Sequence, residues 1–202
     1  MNEKVPNQAA KQPSMEDYLT PDRAAASKDA GSNRASLRTP SNRWRSLIVS
    51  NVAVALGSRV SGSKYELYIS NMRVRMKNSS IILPDLIVVS GEPAFADQNL
   101  DILLNPTIAI DVFSGQTNSA DKTQRLENFL AMDSIKECVQ IKEDEMRIEH
   151  FAKQNAKQWI YRIYNERDDV MSLDSISTKL SLSEIYAQIK FKQPEMASRA
   201  VN

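Results

Sequence analysis

The spacing of apolar residues predicts a mixture of helices and strands that begins near residue 44. Apolar residues recur at helix-like intervals after Trp44 and predict a helix from about 44 to 58. Two later segments alternate apolar and polar residues, which is typical of strands with one polar face. Two more are continuous apolar runs, short enough to be buried strands. These four predicted strands lie at 64–69, 72–76, 81–89 and 107–114, the first two joined through Ser70-Asn71.

The second half of the chain predicts one helix, three strands and a closing helix. Ser119 is a plausible N-cap for a helix from about 119 to 132. The remaining elements are predicted at about 136–142, 145–152, 157–164 and 182–189. This order favours an α/β fold with a mixed central β-sheet flanked by helices. The chain has five glycines and no Gly-x-Gly-x-x-Gly, P-loop or Gly-x-Ser-x-Gly motif, which argues against dinucleotide binding and serine hydrolase chemistry.

Composition separates a tail from a body. Residues 1–43 are polar, with few large apolar side chains, and such segments cannot bury enough surface to offset their ordering entropy. We therefore expect a disordered or poorly ordered N-terminal tail, one domain over residues 44–190 and a C-terminal tail over residues 191–202.

Charge and cysteine content narrow the class of protein. The net charge is +1, so there is no global basic excess of the kind that marks a nucleic-acid coat protein. Cys138 is the only cysteine, which fits a reducing cytoplasm and excludes a cysteine-based zinc cage. His150 is the only histidine and is interpreted as structural or surface-exposed. We expect a cytoplasmic protein, since no secretory signal or membrane-spanning run is apparent.

Each continuous apolar run contains one aspartate, Asp85 in the first and Asp111 in the second. A buried carboxylate is costly unless it is paired, hydrogen-bonded or bound to a metal ion. Two such carboxylates on neighbouring strands suggest a divalent metal site. The alternative is structural, because Pro84-Asp85 could simply form a turn at a strand end.

At this point the residues resemble the Uma-type restriction endonucleases, a bacterial branch of the PD-(D/E)XK nuclease superfamily. The resemblance covers about residues 44–190. A shorter segment, Glu16-Asp-Tyr-Leu19, also resembles the sequence with which the family usually begins. It is specific as a set, although each motif alone is weak. The motifs are Pro84-Asp85, Asn105-Pro-Thr-Ile-Ala-Ile-Asp111-Val-Phe-Ser114-Gly-Gln-Thr117, Asp121, Glu149-His-Phe151, Trp159, Tyr164, Leu173 and Leu182-x-x-Ile-Tyr186.

The resemblance implies metal-dependent hydrolysis of DNA phosphodiester bonds. Asp85, Asp111 and the Val112 carbonyl would hold Mg²⁺, with Mn²⁺ as an alternative ion. A cation would orient the attacking water and stabilise the transition state. The branch places a lysine where Arg125 stands here, and Lys122, one helical turn earlier, is the alternative. The resemblance also implies DNA as the partner and allows a homodimer.

Several positions depart from the family pattern. Asp111 stands where this branch usually has glutamate, and Arg125 and Phe113 stand where lysines are expected in the branch and the superfamily. Arg45 replaces a histidine that often begins the first long helix. The N-terminal strand of the family is not recognisable at residues 28–36. Two interpretations therefore stay open: an active endonuclease, or a catalytically degenerate member that binds nucleic acid or protein.

Arginines supply the candidate DNA phosphate contacts. Two of them, Arg73 and Arg75, share one strand face. They could instead be solvated charges that keep an edge strand from pairing with another chain. The candidates are Arg43, Arg45, Arg59, Arg73 and Arg75.

Overall fold

A six-stranded mixed sheet forms the centre of the computed structural model, which describes residues 42–60 and 64–191. The helices are α1 (Arg43–Val60), α2 (Ser119–Leu130) and α3 (Leu182–Ile185), with a 3-10 turn at Asp174–Ile176. The first six strands are β1 (Tyr65–Ile69), β2 (Arg73–Arg75), β3 (Ile81–Ile82), β4 (Leu86–Ser90), β5 (Ile102–Leu103) and β6 (Ile108–Phe113). The last five are β7 (Glu137–Lys142), β8 (Ile148–Asn155), β9 (Gln158–Tyr164), β10 (Val170–Leu173) and β11 (Thr178–Ser181).

The central sheet has the strand order β1-β4-β6-β7-β8-β9. Within the central sheet only β6 and β7 are parallel, and α2 provides the crossover between them, as parallel strands require. The other neighbours are antiparallel. Two small sheets, β3-β2-β5 and the β10-β11 hairpin, complete the fold. β4 and β6 therefore lie inside the sheet.

Two apolar clusters cover the two faces of this sheet. On one face, α1 and the β10-β11 hairpin pack on alternate residues of the central strands, among them Leu86, Ile110 and Val139. On the other face, Phe129 of α2 packs on the intervening residues, including Ile87. β4 and β6 read as continuous apolar runs because both of their faces are buried. In the described part of the chain, no helix has the length and apolar character needed to cross a membrane.

The predicted mixed α/β architecture is confirmed. The helix predicted at 44–58 is α1, and the three strands after the second helix are β7, β8 and β9. The predicted tail over residues 1–43 lies almost wholly outside the described residues, as does nearly all of the C-terminal tail. Cys138 is buried in the apolar cluster beside α2.

Three local predictions were wrong. The strand predicted at 81–89 is two short strands, β3 and β4, because Leu83-Pro84-Asp85 interrupts pairing and proline has no backbone N–H to donate. Asn118 rather than Ser119 caps α2, and the closing helix is only four residues long. The strands predicted on either side of Ser70-Asn71 are β1 and β2, and they belong to different sheets because these two residues adopt positive φ angles and redirect the chain.

The closing helix depends on a capping box that the ionisation of Glu184 controls. The Ser181 side chain accepts from the Glu184 backbone N–H, and the Glu184 carboxylate accepts from the Ser181 backbone N–H. Arg59 of α1 pairs with the same carboxylate at 2.7 Å. The bonds from Arg59 and Ser181 lower the pKa of Glu184 from 4.5 to about 2.

We predict that Glu184→Gln lowers the free energy of unfolding at pH 7 by roughly 0.3 to 1.5 kcal/mol, a range typical of a helix cap. Because the pKa is lower in the folded state, this contribution is fully present above about pH 4.5 and is lost as the pH falls towards 2. Urea unfolding at several pH values measures it. Glu166→Gln, in an exposed turn, is the control. If Glu184→Gln loses as much stability as the wild type when the pH falls from about 4.5 towards 2, this loss does not come from Glu184.

Candidate active site

The two predicted acids lie side by side in the sheet. β4 pairs with β6 so that Leu86 is opposite Ile110, and continuing this register places Asp85 opposite Asp111. The row goes on across β7 and β8, because Asp111 pairs with Gln140 and Gln140 pairs with Glu149. A line of polar residues thus crosses four neighbouring strands of the sheet.

Arg45 of α1 binds Asp85 with two hydrogen bonds. Its Nε lies 3.1 Å from Oδ1 of Asp85 and its Nη2 lies 2.5 Å from Oδ2. The Nη1 group of the same guanidinium donates to the Val112 carbonyl. The Val112 backbone N–H in turn donates to Oδ2 of Asp85 at 2.7 Å. One arginine therefore holds the carboxylate and the carbonyl that were predicted to be metal ligands.

The start of α1 fixes the position of Arg45. The side chain of Asn42 accepts from the Arg45 backbone N–H at 3.0 Å and caps the helix. Its amide donates to Glu143, which directly follows β7, at 2.6 Å. The backbone N–H of Glu143 bonds to the Phe113 carbonyl at 2.9 Å. These contacts tie the helix start to the ends of β6 and β7.

Arg125 of α2 also binds its aspartate, Asp111, in a bidentate way. Its Nη2 lies 2.9 Å from Oδ1 of Asp111 and its Nε lies 3.2 Å from Oδ2. Nη2 also donates to the Leu83 carbonyl at 3.1 Å. The side chains of the two pairs are only 5 to 9% exposed: Arg45, Asp85, Asp111 and Arg125.

Lys122 contacts a different acid. Its amine lies 2.9 Å from Glu149, which also accepts from Arg147 at 3.0 Å, and it lies 5.9 Å from the centroid of the Phe113 ring. The structure therefore brings Asp85, Asp111, Val112 and Arg125 together and places Lys122 further along the polar row.

The donor set does not fit a divalent cation in this arrangement. Mg²⁺ requires oxygen ligands with free lone pairs, including carboxylates. Here the oxygens of Asp85, Asp111 and Val112 accept hydrogen bonds from guanidinium groups. Two carboxylates and two guanidiniums already sum to zero charge, so a cation has no charge to neutralise. Within residues 42–60 and 64–191, no cluster of three or more His, Cys, Asp or Glu is placed to hold a metal.

Burying the Asp85 carboxylate costs free energy despite its hydrogen-bond partners. Burial raises its pKa to about 6, the nearby Asp111 carboxylate adds to this rise, and the Arg45 guanidinium opposes it. All three hydrogen bonds to the carboxylate come from N–H donors, so a protonated Asp85 would lack an acceptor for its own proton. The ionised form therefore depends on Arg45.

From the sequence, Arg45 was identified only as a departure from the family pattern and as a candidate DNA contact. The structure buries Arg45, so its guanidinium is unavailable to DNA. Among the other basic candidates, Arg59 pairs with Glu184 and Arg73 pairs with Asp101 at 2.8 Å, while Arg43 and Arg75 are exposed.

Gln140 and Glu149 were not identified as part of the polar row. Glu149 was noted only within a family motif. The one available signal was a polar residue inside an apolar strand, as at Gln140 in Glu-Cys-Val-Gln-Ile.

His150, expected to be structural or surface-exposed, is fully buried and lies 2.6 Å from Glu137.

We predict that Arg45→Met lowers the free energy of unfolding by about 3 to 5 kcal/mol, because it leaves the Asp85 charge buried without a partner. The double variant Arg45→Met/Asp85→Asn should recover much of this loss, since the Asn oxygen can still accept from Val112. Urea unfolding measures both. Arg59→Met in the exposed pair of the same helix is the control, with an expected cost of 0 to roughly 1 kcal/mol. Equal losses in Arg45→Met and Arg59→Met would contradict the buried pair.

Comparisons with known proteins agree with this architecture. In solved structures, a protein of Anabaena variabilis described as a "putative nuclease belonging to DUF820" superposes with a TM-score of 0.60 at 17% identity, covering 74% of this chain and 83% of that one. This likeness shows a shared fold. Among curated proteins, the uncharacterized protein sll1609 of Synechocystis sp. is 28% identical over 111 residues. The match covers 54% of this chain and 63% of that relative.

A match to a family model shows which protein family this chain belongs to. The model of the Uma2 family, described as "Putative restriction endonuclease", matches residues 16–184, which is most of the chain. The matched region contains both arginine–aspartate pairs. This chain belongs to the Uma2 family of nuclease-like proteins.

Proposed function

We propose that this chain binds nucleic acid and does not hydrolyse it through a divalent metal ion. A nuclease family implies a nucleic-acid partner, and such families typically use divalent metals. One observation carries the second half of the proposal: the Arg45 guanidinium lies on both Asp85 oxygens and on the Val112 carbonyl. Those are the atoms that an ion would need.

Three departures from the family pattern support this proposal together. Arg45, Asp111 and Arg125 lie far apart in the sequence but meet around one row of the sheet. Two guanidiniums carry the same +2 charge as one divalent ion, so they neutralise the two carboxylates equally well. Buried ion pairs of this kind also contribute structural specificity in some proteins. Of the three departures, only Arg45 adds a permanent positive charge, because the family residue at position 125 is already a cation. We therefore interpret Arg45 as the residue that takes the place of the metal ion.

The second candidate is a Mg²⁺-dependent endonuclease that hydrolyses DNA at Asp85 and Asp111, with Arg125 or Lys122 as the assisting cation. The placement of Asp85 opposite Asp111, with the Val112 carbonyl beside them, favours this alternative. It requires Arg45 to leave a buried site in which its guanidinium makes three hydrogen bonds. The cost of leaving the Asp85 charge buried and unpaired weighs against it.

We predict no plasmid nicking by the wild type with Mg²⁺ or Mn²⁺, because the ligand atoms are already engaged. The triple variant Arg45→His/Asp111→Glu/Arg125→Lys, which restores the family residues, should bind Mn²⁺ in isothermal titration calorimetry, whereas the wild type should show no heat.

Asp85→Asn and Asp111→Asn are the controls, with circular dichroism to check folding. Metal-dependent nicking by the wild type that disappears in both variants would establish the endonuclease and overturn the proposal. Nicking that survives in both would point to a contaminating nuclease.

We further predict weak, salt-sensitive binding of duplex DNA through the exposed arginines. Arg43→Gln and Arg75→Gln should each reduce the slope of log affinity against log salt by about one, as expected for one phosphate contact. Fluorescence anisotropy with a labelled duplex measures this.

Arg73→Gln is the matched control, since the guanidinium of Arg73 already pairs with Asp101. An absence of binding at low salt would contradict the nucleic-acid half of the proposal.

A further inference from the structure

The outer side of β9 is an open edge of the central sheet. β9 is the last strand in the sheet order and pairs only with β8. Within the described residues, its backbone makes no hydrogen bond to any other element. An edge strand presents a row of unpaired N–H and C=O groups that can pair with another extended chain. With seven residues, β9 offers a longer edge than the five residues of β1 at the other end of the sheet.

The sequence of β9 lacks the features that usually keep an edge strand from pairing with another chain. Natural proteins use lysines, prolines and bulges for this purpose. β9 contains no lysine and no proline, and Arg162 is its only charged residue. Two apolar side chains of β9 are instead open to solvent, since Tyr161 is 49% exposed and Ile163 is 43% exposed. The edge is therefore suited to association.

The exposed side chains belong to one apolar stripe along β9. Trp159, Tyr161 and Ile163 lie on the same face of the strand, because alternate residues of a strand share a face. On this face, Phe151 of β8 lies opposite Tyr161, and the two rings stack with their centroids 4.9 Å apart. The stack orders the Tyr161 ring in advance, so that burying it against a partner costs little side-chain entropy.

The sequence of β9 is complementary to itself. Tyr161 is the middle residue of the strand, so an antiparallel pairing of two copies centred on Tyr161 uses all seven residues. This register places Tyr161 opposite Tyr161 of the second copy, and Ile163 opposite Trp159. It also places Arg162 opposite Ile160, so no two like charges face each other directly, an arrangement that would be destabilising. Such a contact has two-fold symmetry and closes at the dimer.

We propose that two copies of this chain associate through antiparallel pairing of their β9 strands, centred on Tyr161, so that one sheet runs through the dimer. Backbone hydrogen bonds supply the pairing, and the apolar stripes of the two copies join into one surface. A contact made by one pair of strands is small, and small interfaces are typically weak, so we expect a dissociation constant in the micromolar range. Neither Asp85 nor Asp111 lies on β8 or β9, so the proposal is independent of the proposed function.

The test uses two variants of the full chain, Tyr161→Lys and Tyr161→Glu, in sedimentation velocity over a range of micromolar concentrations. Each variant places two like charges opposite each other on the two-fold axis and should weaken dimerisation by about tenfold or more. An equimolar mixture of the two should associate again, because a lysine then faces a glutamate. Val170→Lys, which replaces a 49% exposed apolar residue on β10, is the matched control and should dimerise like the wild type.

Amide hydrogen exchange of the wild type tests the backbone pairing itself, and circular dichroism checks that each variant is folded. The outward-facing amides of β9, at every second residue, should exchange more slowly at high protein concentration than at low concentration. The proposal is overturned if the wild type stays monomeric at submillimolar concentration or forms assemblies larger than a dimer. It is equally overturned if both charged variants still dimerise, if their mixture stays monomeric, if Val170→Lys dissociates as much as they do, or if dimerisation leaves the β9 amides unprotected.

Discussion

The need to neutralise two buried carboxylates governs the centre of this protein. Asp85 and Asp111 face each other across β4 and β6, and the apolar surroundings make an unpaired charge there very costly. A metal ion is one solution, and in this structure arginines from the two long helices pair with both carboxylates. Since each pair joins a helix to the sheet, the electrostatics of the site and the docking of α1 and α2 are coupled.

Much of the fold could be predicted from the sequence, because buried strands consist mainly of apolar residues. Continuous apolar runs predicted interior strands, and both faces of β4 and β6 are indeed covered. The prediction failed where local chemistry overrides the apolar pattern, as at Pro84, which ends strand pairing within an apolar run. It also missed β5, since two residues are too short to carry a period.

The candidate site was predicted in part. Asp85 and Asp111 stood out because an acid inside an apolar run requires compensation. The nature of that compensation was not readable, since Arg45 lies 40 residues from Asp85 in the sequence and meets it only through the packing of α1. Sequence comparison with the family marked Arg45, Asp111 and Arg125 as separate departures. Their spatial arrangement unites them into two ion pairs.

The most direct test of the account is a crystal structure of the wild type soaked in Mn²⁺, with anomalous data collected near the manganese absorption edge. If arginines neutralise the two carboxylates, no anomalous peak will appear between Asp85 and Asp111, and Arg45 will remain bound to Asp85 and to the Val112 carbonyl. A manganese peak coordinated by Asp85, Asp111 and Val112, with the Arg45 guanidinium displaced, would contradict it and restore the metal-dependent endonuclease.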